Sequence, residues 1–128
     1  MNPQWRKFLL EQRAIIEHDI VVGFDGDSPS DRQDTENILC NLSTRGLISI
    51  SGADAVSFMQ GQFTTNIPDV TPAQAQLSAW CSPKGRVLAV FTLLSHNNGY
   101  LLVMPGELIA NVTKRLKLYV LRSQVAVE

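Results

Sequence analysis

The sequence predicts an α+β fold in which an antiparallel sheet packs against helices. Apolar and polar residues alternate along residues 74–81, and a longer apolar run follows at residues 87–94. Residues 107–121 carry an apolar stripe with helical spacing. The connections between the strands are too short for parallel crossovers, so the sheet is expected to be antiparallel.

The bulk composition is that of a soluble globular protein. The chain has 128 residues and a net charge of −1, which gives no electrostatic argument for whole-chain binding to nucleic acid or membrane. No targeting segment is visible, and the longest apolar run is too short to span a bilayer. Cys40 and Cys81 are too far apart for a metal-ligand motif, and we expect free thiols. A cytoplasmic protein is therefore predicted.

The chain is predicted to open with a helix that has Asn2 as its N-cap and Pro3 at its first position. The face it must bury carries Trp5, Phe8, Leu9, Ile15 and Ile16. His18 would stand at the end of this helix, where a surface histidine is the expected role.

Three segments are predicted from composition. Residues 1–24 form the leading helix and its lead-in, and residues 38–128 form the main domain. Between them, residues 25–37 have five acids and no large apolar side chain, so we expect a mobile linker.

The segment from Gly52 to Asn66 is the most informative part of the chain. A β-like run at residues 47–51 enters Gly52, and a short helix follows that stops at Gly61. Asp54, at the start of this helix, is expected to favour its N-terminal dipole. The apolar positions of the helix are Ala55, Phe58 and Met59.

Three strands are predicted after this helix. In the first, Leu77 belongs to an apolar face, whereas Trp80 lies on the otherwise polar face, where it would stack on an aromatic ligand or fill a second layer of core. A type I turn is expected at residues 82–85, and a type I′ hairpin turn at Asn98-Gly99. The apolar face comprises Ala75, Leu77, Ala79 and Cys81, and the polar face comprises Gln74, Gln76, Ser78 and Trp80.

The final predicted helix covers residues 107–121, and residues 122–128 resemble the start of another strand. Lys114, Arg115 and Lys117 form a modest basic cluster on this helix, which either touches RNA phosphates or is an ordinary solvated face. The apolar stripe comprises Leu108, Ile109, Val112, Leu116, Tyr119 and Val120.

Two groups of residues could bind a ligand. Gln60, Gln62 and Thr64 belong to an uncharged polar strip, and amides and hydroxyls suit a ligand such as a pterin ring. The alternative is a helix C-cap and a following turn. Lys84 and Arg86 flank Gly85 in the turn, where they could meet a glutamate tail, a phosphate or an acidic protein surface, or remain solvated.

The order of three blocks carries a family resemblance. They are LCNLSTRGLISISGADAVSFMQGQFTTN, then SAWCSPKGRVLAVFTLL, then LKLYVLRSQVAV. Together they resemble the amino-terminal region of the aminomethyltransferase-like folate-binding superfamily, which includes the glycine-cleavage T-protein and the YgfZ-type proteins. The resemblance implies that the chain forms the first part of a larger ring-like fold that binds tetrahydrofolate.

Within this superfamily the residues favour the YgfZ-type branch. The aminomethyltransferases carry an Asp pair after a Gly-Gly, whereas Ala89 and Val90 stand here and cannot transfer a proton. The Lys-Gly-Arg of the turn also matches the YgfZ type. The later signature Lys-Gly-Cys-x-x-Gly-Gln-Glu of that branch is absent, and we expect the chain to be a fragment of a longer protein.

The resemblance implies a folate-binding accessory protein for the assembly or repair of iron–sulfur clusters and for tRNA modification. Its partners would be tetrahydrofolate and iron–sulfur enzymes. No membrane contact, metal site or catalytic residue is expected. Two alternatives are a folate-dependent aminomethyltransferase of the glycine-cleavage type and a non-catalytic interaction domain that keeps only the fold.

Overall fold

The computed structural model describes residues 1–25 and 41–128. The chain divides into two compact units, Met1–Thr44 and Arg45–Glu128. The predicted mobile linker, apart from Asp25, lies outside the described residues, and so does Cys40. The division into a lead-in, a linker and a main domain stays a prediction.

The first unit opens with the predicted helix, α1 (Pro3–Glu11). The side-chain oxygen of Asn2 accepts hydrogen bonds from the backbone nitrogens of Gln4 (2.9 Å) and Trp5 (3.3 Å). These bonds satisfy two of the amide donors that a helix start leaves open. The predicted N-cap is therefore confirmed.

The second half of the predicted leading helix is wrong. Ile15 and Ile16 lie in a strand, β1 (Ala14–Glu17), which pairs with β2 (Ile20–Phe24) in an antiparallel hairpin. His18 and Asp19 form its turn with φ of 49° and 64°, as a type I′ turn requires. Two β-branched residues in succession favour a strand over a helix, and Arg13 at φ 62° ends the helical path.

Asp19 ties this hairpin to the start of α1. Its carboxylate accepts from the amino group of Met1 at 3.0 Å and from Nη1 of Arg6 at 2.9 Å. The hydrogen bond from the amino group, then the positive charge of that group and of Arg6, hold the pKa of Asp19 below its ordinary value. The carboxylate therefore stays ionised to a lower pH than a free aspartate.

The second unit is the predicted antiparallel sheet with packed helices, which confirms the α+β class. Its five strands lie in the order β4-β5-β6-β3-β7, and all the strand pairs are antiparallel. The elements are β3 (Arg45–Ser51), α2 (Ala55–Gln62), a 3₁₀ turn (Ile67–Asp69), β4 (Gln76–Cys81), β5 (Val87–His96), β6 (Gly99–Pro105), α3 (Gly106–Val120) and β7 (Ala126–Val127).

One face of this sheet and the helices enclose a single hydrophobic core. Helix α2 contributes its three predicted apolar side chains, and α3 contributes Val112 and Leu116. Phe63 packs edge-on against Phe91 at 4.8 Å between ring centroids. From the strands, the core contains Ile48, Ile50, Trp80, Ala89, Phe91, Leu93, Leu102 and Met104.

The face of β4 that meets this core is the opposite of the one that its apolar pattern suggests. Ser78 and Trp80 are each 2% exposed, whereas Leu77 is 75% exposed. Trp80 stands opposite Ala89, and Ser78 stands opposite Phe91, both of which are core residues of β5. The indole is the largest side chain of the strand, and its burial removes more apolar area from water than burial of any one residue on the other face would.

The two predicted hairpin turns have different outcomes. At residues 82–85 the amide of Gly85 donates to the carbonyl of Ser82 at 2.8 Å, so this turn is confirmed. The second turn lies one residue earlier than predicted, because Asn97 (φ 44°) and Asn98 (φ 61°) occupy its central positions. Gly99 instead begins β6, where a Cβ would stand 2.8 Å from the carbonyl oxygen of Ile50.

Gly52 and Asp54 hold the end of the chain against the sheet. At φ 121°, Gly52 lies so close to the backbone of Gln124 that a Cβ would collide with that carbonyl oxygen. Asp54 is the N-cap of α2 by position, but its side chain makes no capping bond and accepts from the Gln124 nitrogen at 2.7 Å. The segment before β7 is therefore fixed by this one loop.

Candidate functional site

The polar strip after α2 is built into the fold by its own side chains. Oε1 of Gln60 accepts from the backbone nitrogen of Ile67 at 2.8 Å, which closes the loop between α2 and the 3₁₀ turn. Gln60 is exposed and Ile67 is fully buried, so the side chain joins the surface to the core. Gln60 thus has a structural role in addition to any role in ligand binding.

The two threonines of the strip cover the open edge of β4. Thr64 donates its backbone N–H to the carbonyl of Ala79 and accepts the Ala79 amide on its Oγ1, both at 3.0 Å. Thr65 donates its hydroxyl to the carbonyl of Leu77 at 3.3 Å. These bonds satisfy backbone groups that an edge strand would otherwise leave unpaired.

Trp80 is the centre of a small cluster of residues from three separate elements, which was not predicted from the sequence. Its Nε1 donates to Oε1 of Gln62 at 3.4 Å. The guanidinium of Arg115 lies 5.5 Å from the indole centroid, and the ring of Tyr119 meets the indole edge-on at 6.0 Å. Arg115 and Tyr119 share one face of α3 because they are four residues apart, a spacing that would have revealed the pair. The buried indole leaves no face open for a ligand, so it belongs to the core.

Lys84 and Arg86 lie at the exposed turn between β4 and β5. Both residues are exposed, and neither forms an ion pair within the described part of the chain. Gly85 has φ 74°, and the amide of Arg86 donates to Oγ of Ser82 at 3.1 Å. Hydrogen bonds thus fix the backbone of the turn that carries the two cations.

The strip and the turn lie along the same edge strand. Thr64 bonds to Ala79, and the turn begins at Ser82, three residues further along the chain. At the rise of an extended strand this separation is about 10 Å. The two predicted groups therefore lie at neighbouring positions along one edge of the sheet, and their role in binding a ligand stays a prediction.

Ala89 and Val90 point to opposite sides of β5. Ala89 is 3% exposed and faces the core, whereas Val90 is 48% exposed on the outer face of the sheet. Among residues 1–25 and 41–128, no group of three His, Cys, Asp or Glu side chains could hold a metal ion. Cys81 is a partly buried free thiol.

The predicted basic cluster of α3 is exposed, but its members differ. Lys114 and Lys117 are exposed, and Arg115 covers Trp80. Tyr119, predicted for the apolar stripe, is 43% exposed. In the part of the chain that the structure describes, no helix has the length and apolar character needed to cross a membrane.

Known proteins match most of this chain in sequence. No protein-family model matches it. Proteins named tRNA-modifying protein YgfZ are similar: that of Colwellia psychrerythraea is 33% identical over 100 residues, 78% of this chain and 31% of that protein. That of Vibrio atlanticus is 32% identical over 73% of this chain and 29% of that protein. The chain thus spans about three tenths of the length of the curated relatives it matches.

Solved structures also share this fold. One of them is the glycine cleavage system aminomethyltransferase T from Bartonella henselae, with a TM-score of 0.60 over 66% of this chain and 24% of that chain. The two sequences are 16% identical over the match, so the likeness concerns the fold. The expected aminomethyltransferase-like architecture is therefore confirmed.

Proposed function

The chain belongs to the YgfZ family of tRNA-modifying proteins over the matched segment, and we propose that it is part of a folate-binding accessory protein. Its role would be to support tRNA modification and the assembly or repair of iron–sulfur clusters in client enzymes of the cytoplasm. The observation that carries this proposal is the 33% identity over 78% of the chain. Because the chain spans only three tenths of its relatives, the whole protein's activity and clients are part of the proposal.

The edge of β4 is the proposed folate-binding site. Gln60 and Thr64 use their oxygens as acceptors for backbone amides, but an amide nitrogen and a hydroxyl hydrogen remain as donors. Gln62 keeps its own amide nitrogen beside the Trp80 indole. These donors suit the oxygen and nitrogen acceptors of a pterin ring.

The cations of the turn would bind the other end of the same ligand. The turn begins about 10 Å along the edge from the strip, and the charges of Lys84 and Arg86 suit the carboxylates of a glutamate tail. Arg86 can form a bidentate pair with a carboxylate, whereas Lys84 supplies a point charge. The elongated shape and the two chemistries of tetrahydrofolate fit this arrangement.

We predict that Lys84→Ala combined with Arg86→Ala weakens tetrahydrofolate binding by about tenfold or more. The reason is the loss of two charge-assisted contacts, each of which contributes at least 1 kcal/mol. The melting temperature should change little, because both side chains are exposed and unpaired in the described residues. Titration calorimetry with tetrahydrofolate measures the first effect, and thermal unfolding measures the second.

The matched control replaces two other exposed cations, Lys117→Ala with Arg122→Ala, on and just after α3. This variant has the same change of charge and should keep the affinity of the native chain. Equal losses in both double variants would mean that only net charge matters. An unchanged affinity in the turn variant would remove Lys84 and Arg86 from the site.

A further inference from the structure

The exposed end of α3 combines two leucines with a set of cations. Lys114, Lys117 and Leu118 lie on one face of the helix, at positions i, i+3 and i+4, and Leu121 follows as the C-cap at i+7. Leu118 is 70% exposed and Leu121 is 87% exposed. We call these four residues, together with Arg122, the leucine–cation surface.

Leu121 is held in a backbone conformation that a leucine rarely adopts. Its φ of 47° and ψ of −107° match the first central position of a type II′ turn, and Ser123 closes that turn by donating to the carbonyl of Val120 at 2.9 Å. Glycine is preferred there because a Cβ is strained at positive φ. A glycine would relieve the strain and remove an exposed apolar side chain, so the leucine costs the isolated chain free energy in two ways. Strained residues of this kind cluster at functional sites.

The cations around the leucines have no carboxylate partner in the described residues. None of the three ion pairs found there involves Lys114, Lys117 or Arg122. Cations near a helix C-terminus are favoured by the helix dipole, which accounts for Lys117 and Arg122. The dipole does not account for the two exposed leucines beside them.

We propose that the leucine–cation surface docks a partner protein whose own surface has apolar side chains ringed by carboxylates. The cations of the surface are complementary to carboxylates on the partner, and the two exposed leucines are complementary to apolar side chains between those carboxylates. RNA fits less well, because bases stack on aromatic rings and guanidinium groups, and leucines offer neither. The guanidinium of Arg115 already covers the Trp80 indole, which leaves Arg122 as the guanidinium of this surface.

The test uses a fluorescein-labelled synthetic peptide as the probe. Its helical form carries leucines at i, i+3, i+4 and i+7 between glutamates, and a scrambled peptide of the same composition has no apolar face. Fluorescence anisotropy gives the affinity of the 128-residue chain for each peptide at low and moderate salt. The same titrations are made with labelled tRNA.

Four variants separate the contributions. Leu118→Ser with Leu121→Gly should weaken binding of the amphipathic peptide by about tenfold or more, as loss of a central apolar anchor does. Lys114→Ser with Lys117→Ser should weaken it mainly at low salt. Leu77→Ser removes an equally exposed leucine from the outer face of the sheet and should leave the affinity unchanged. Leu121→Gly alone should raise the melting temperature by a few degrees, which shows that the variant folds.

Two results would overturn the proposal. One is equal binding of the amphipathic and scrambled peptides, including no binding of either. The other is tRNA binding that depends on the lysines but not on the leucines, without binding of the peptide. The leucine–cation surface and the proposed folate site share no residue. The leucine variant should therefore respond to tetrahydrofolate as the native chain does. A failure of the folate proposal therefore leaves this test unaffected.

Discussion

Gly52→Val is expected to destabilise the second unit by about 3 kcal/mol or more. A valine Cβ would collide with the carbonyl oxygen of Gln124, and φ of 121° is a conformation that a β-branched residue avoids. Overpacking and strain each cost roughly 1–3 kcal/mol. The collision would also separate Asp54 from the Gln124 amide. Thermal unfolding should show a fall in melting temperature of more than about 10 °C.

Gly61→Ala is the matched control for this prediction. Gly61 lies within α2, and a Cβ there would have no neighbour within 4 Å. Alanine should therefore stabilise the unit by roughly 0.5–1 kcal/mol through its helix propensity. If the two glycine variants melt within a few degrees of each other, the close approach of Gly52 to residue 124 is wrong.

Trp80→Ala is expected to destabilise the second unit by about 3–5 kcal/mol. The substitution removes a side chain that is 2% exposed and leaves a large cavity beneath Arg115 and Tyr119. It also leaves Gln62 without its indole donor. Urea unfolding monitored by circular dichroism measures the loss, because it does not depend on indole fluorescence.

Leu77→Ala tests the orientation of the same strand. Leu77 is 75% exposed, so its truncation should change the free energy of unfolding by less than about 0.5 kcal/mol. The alternating pattern of β4 predicts the reverse order, with the leucine in the core. A larger loss from Leu77→Ala than from Trp80→Ala would show that this pattern, and not the structure, describes the strand.

The sequence predicts structural features that depend on neighbouring residues better than features that depend on contacts between distant residues. The N-cap at Asn2 and the turn at residues 82–85 depend on neighbouring residues, and both are confirmed. The position of the second hairpin turn depends on Gly99, which approaches Ile50 on another strand. The hairpin of β1 and β2 was missed because its turn residues, His18 and Asp19, lack the glycine that usually marks such a turn.

In the candidate site, too, the residue types could be predicted from the sequence, whereas their arrangement could not. Its residue types were evident from the uncharged strip and from the cations of the turn. Their shared edge follows from the bond between Thr64 and Ala79, which lie 15 residues apart. The role of Gln60 in closing the loop to Ile67 also depends on the folded path of the chain. No periodicity or spacing in the sequence encodes these pairings, so only the structure could supply them.

The effect of tetrahydrofolate on the thermal stability of the chain tests the proposed function most directly. A ligand present at a hundred times its dissociation constant should add about 2.7 kcal/mol to the free energy of unfolding. We therefore expect the melting temperature to rise by roughly 10 °C, because about 1 kcal/mol shifts a unit of this size by several degrees. The Lys84→Ala, Arg86→Ala variant should show a smaller rise. No rise at millimolar tetrahydrofolate would contradict a folate site on this chain.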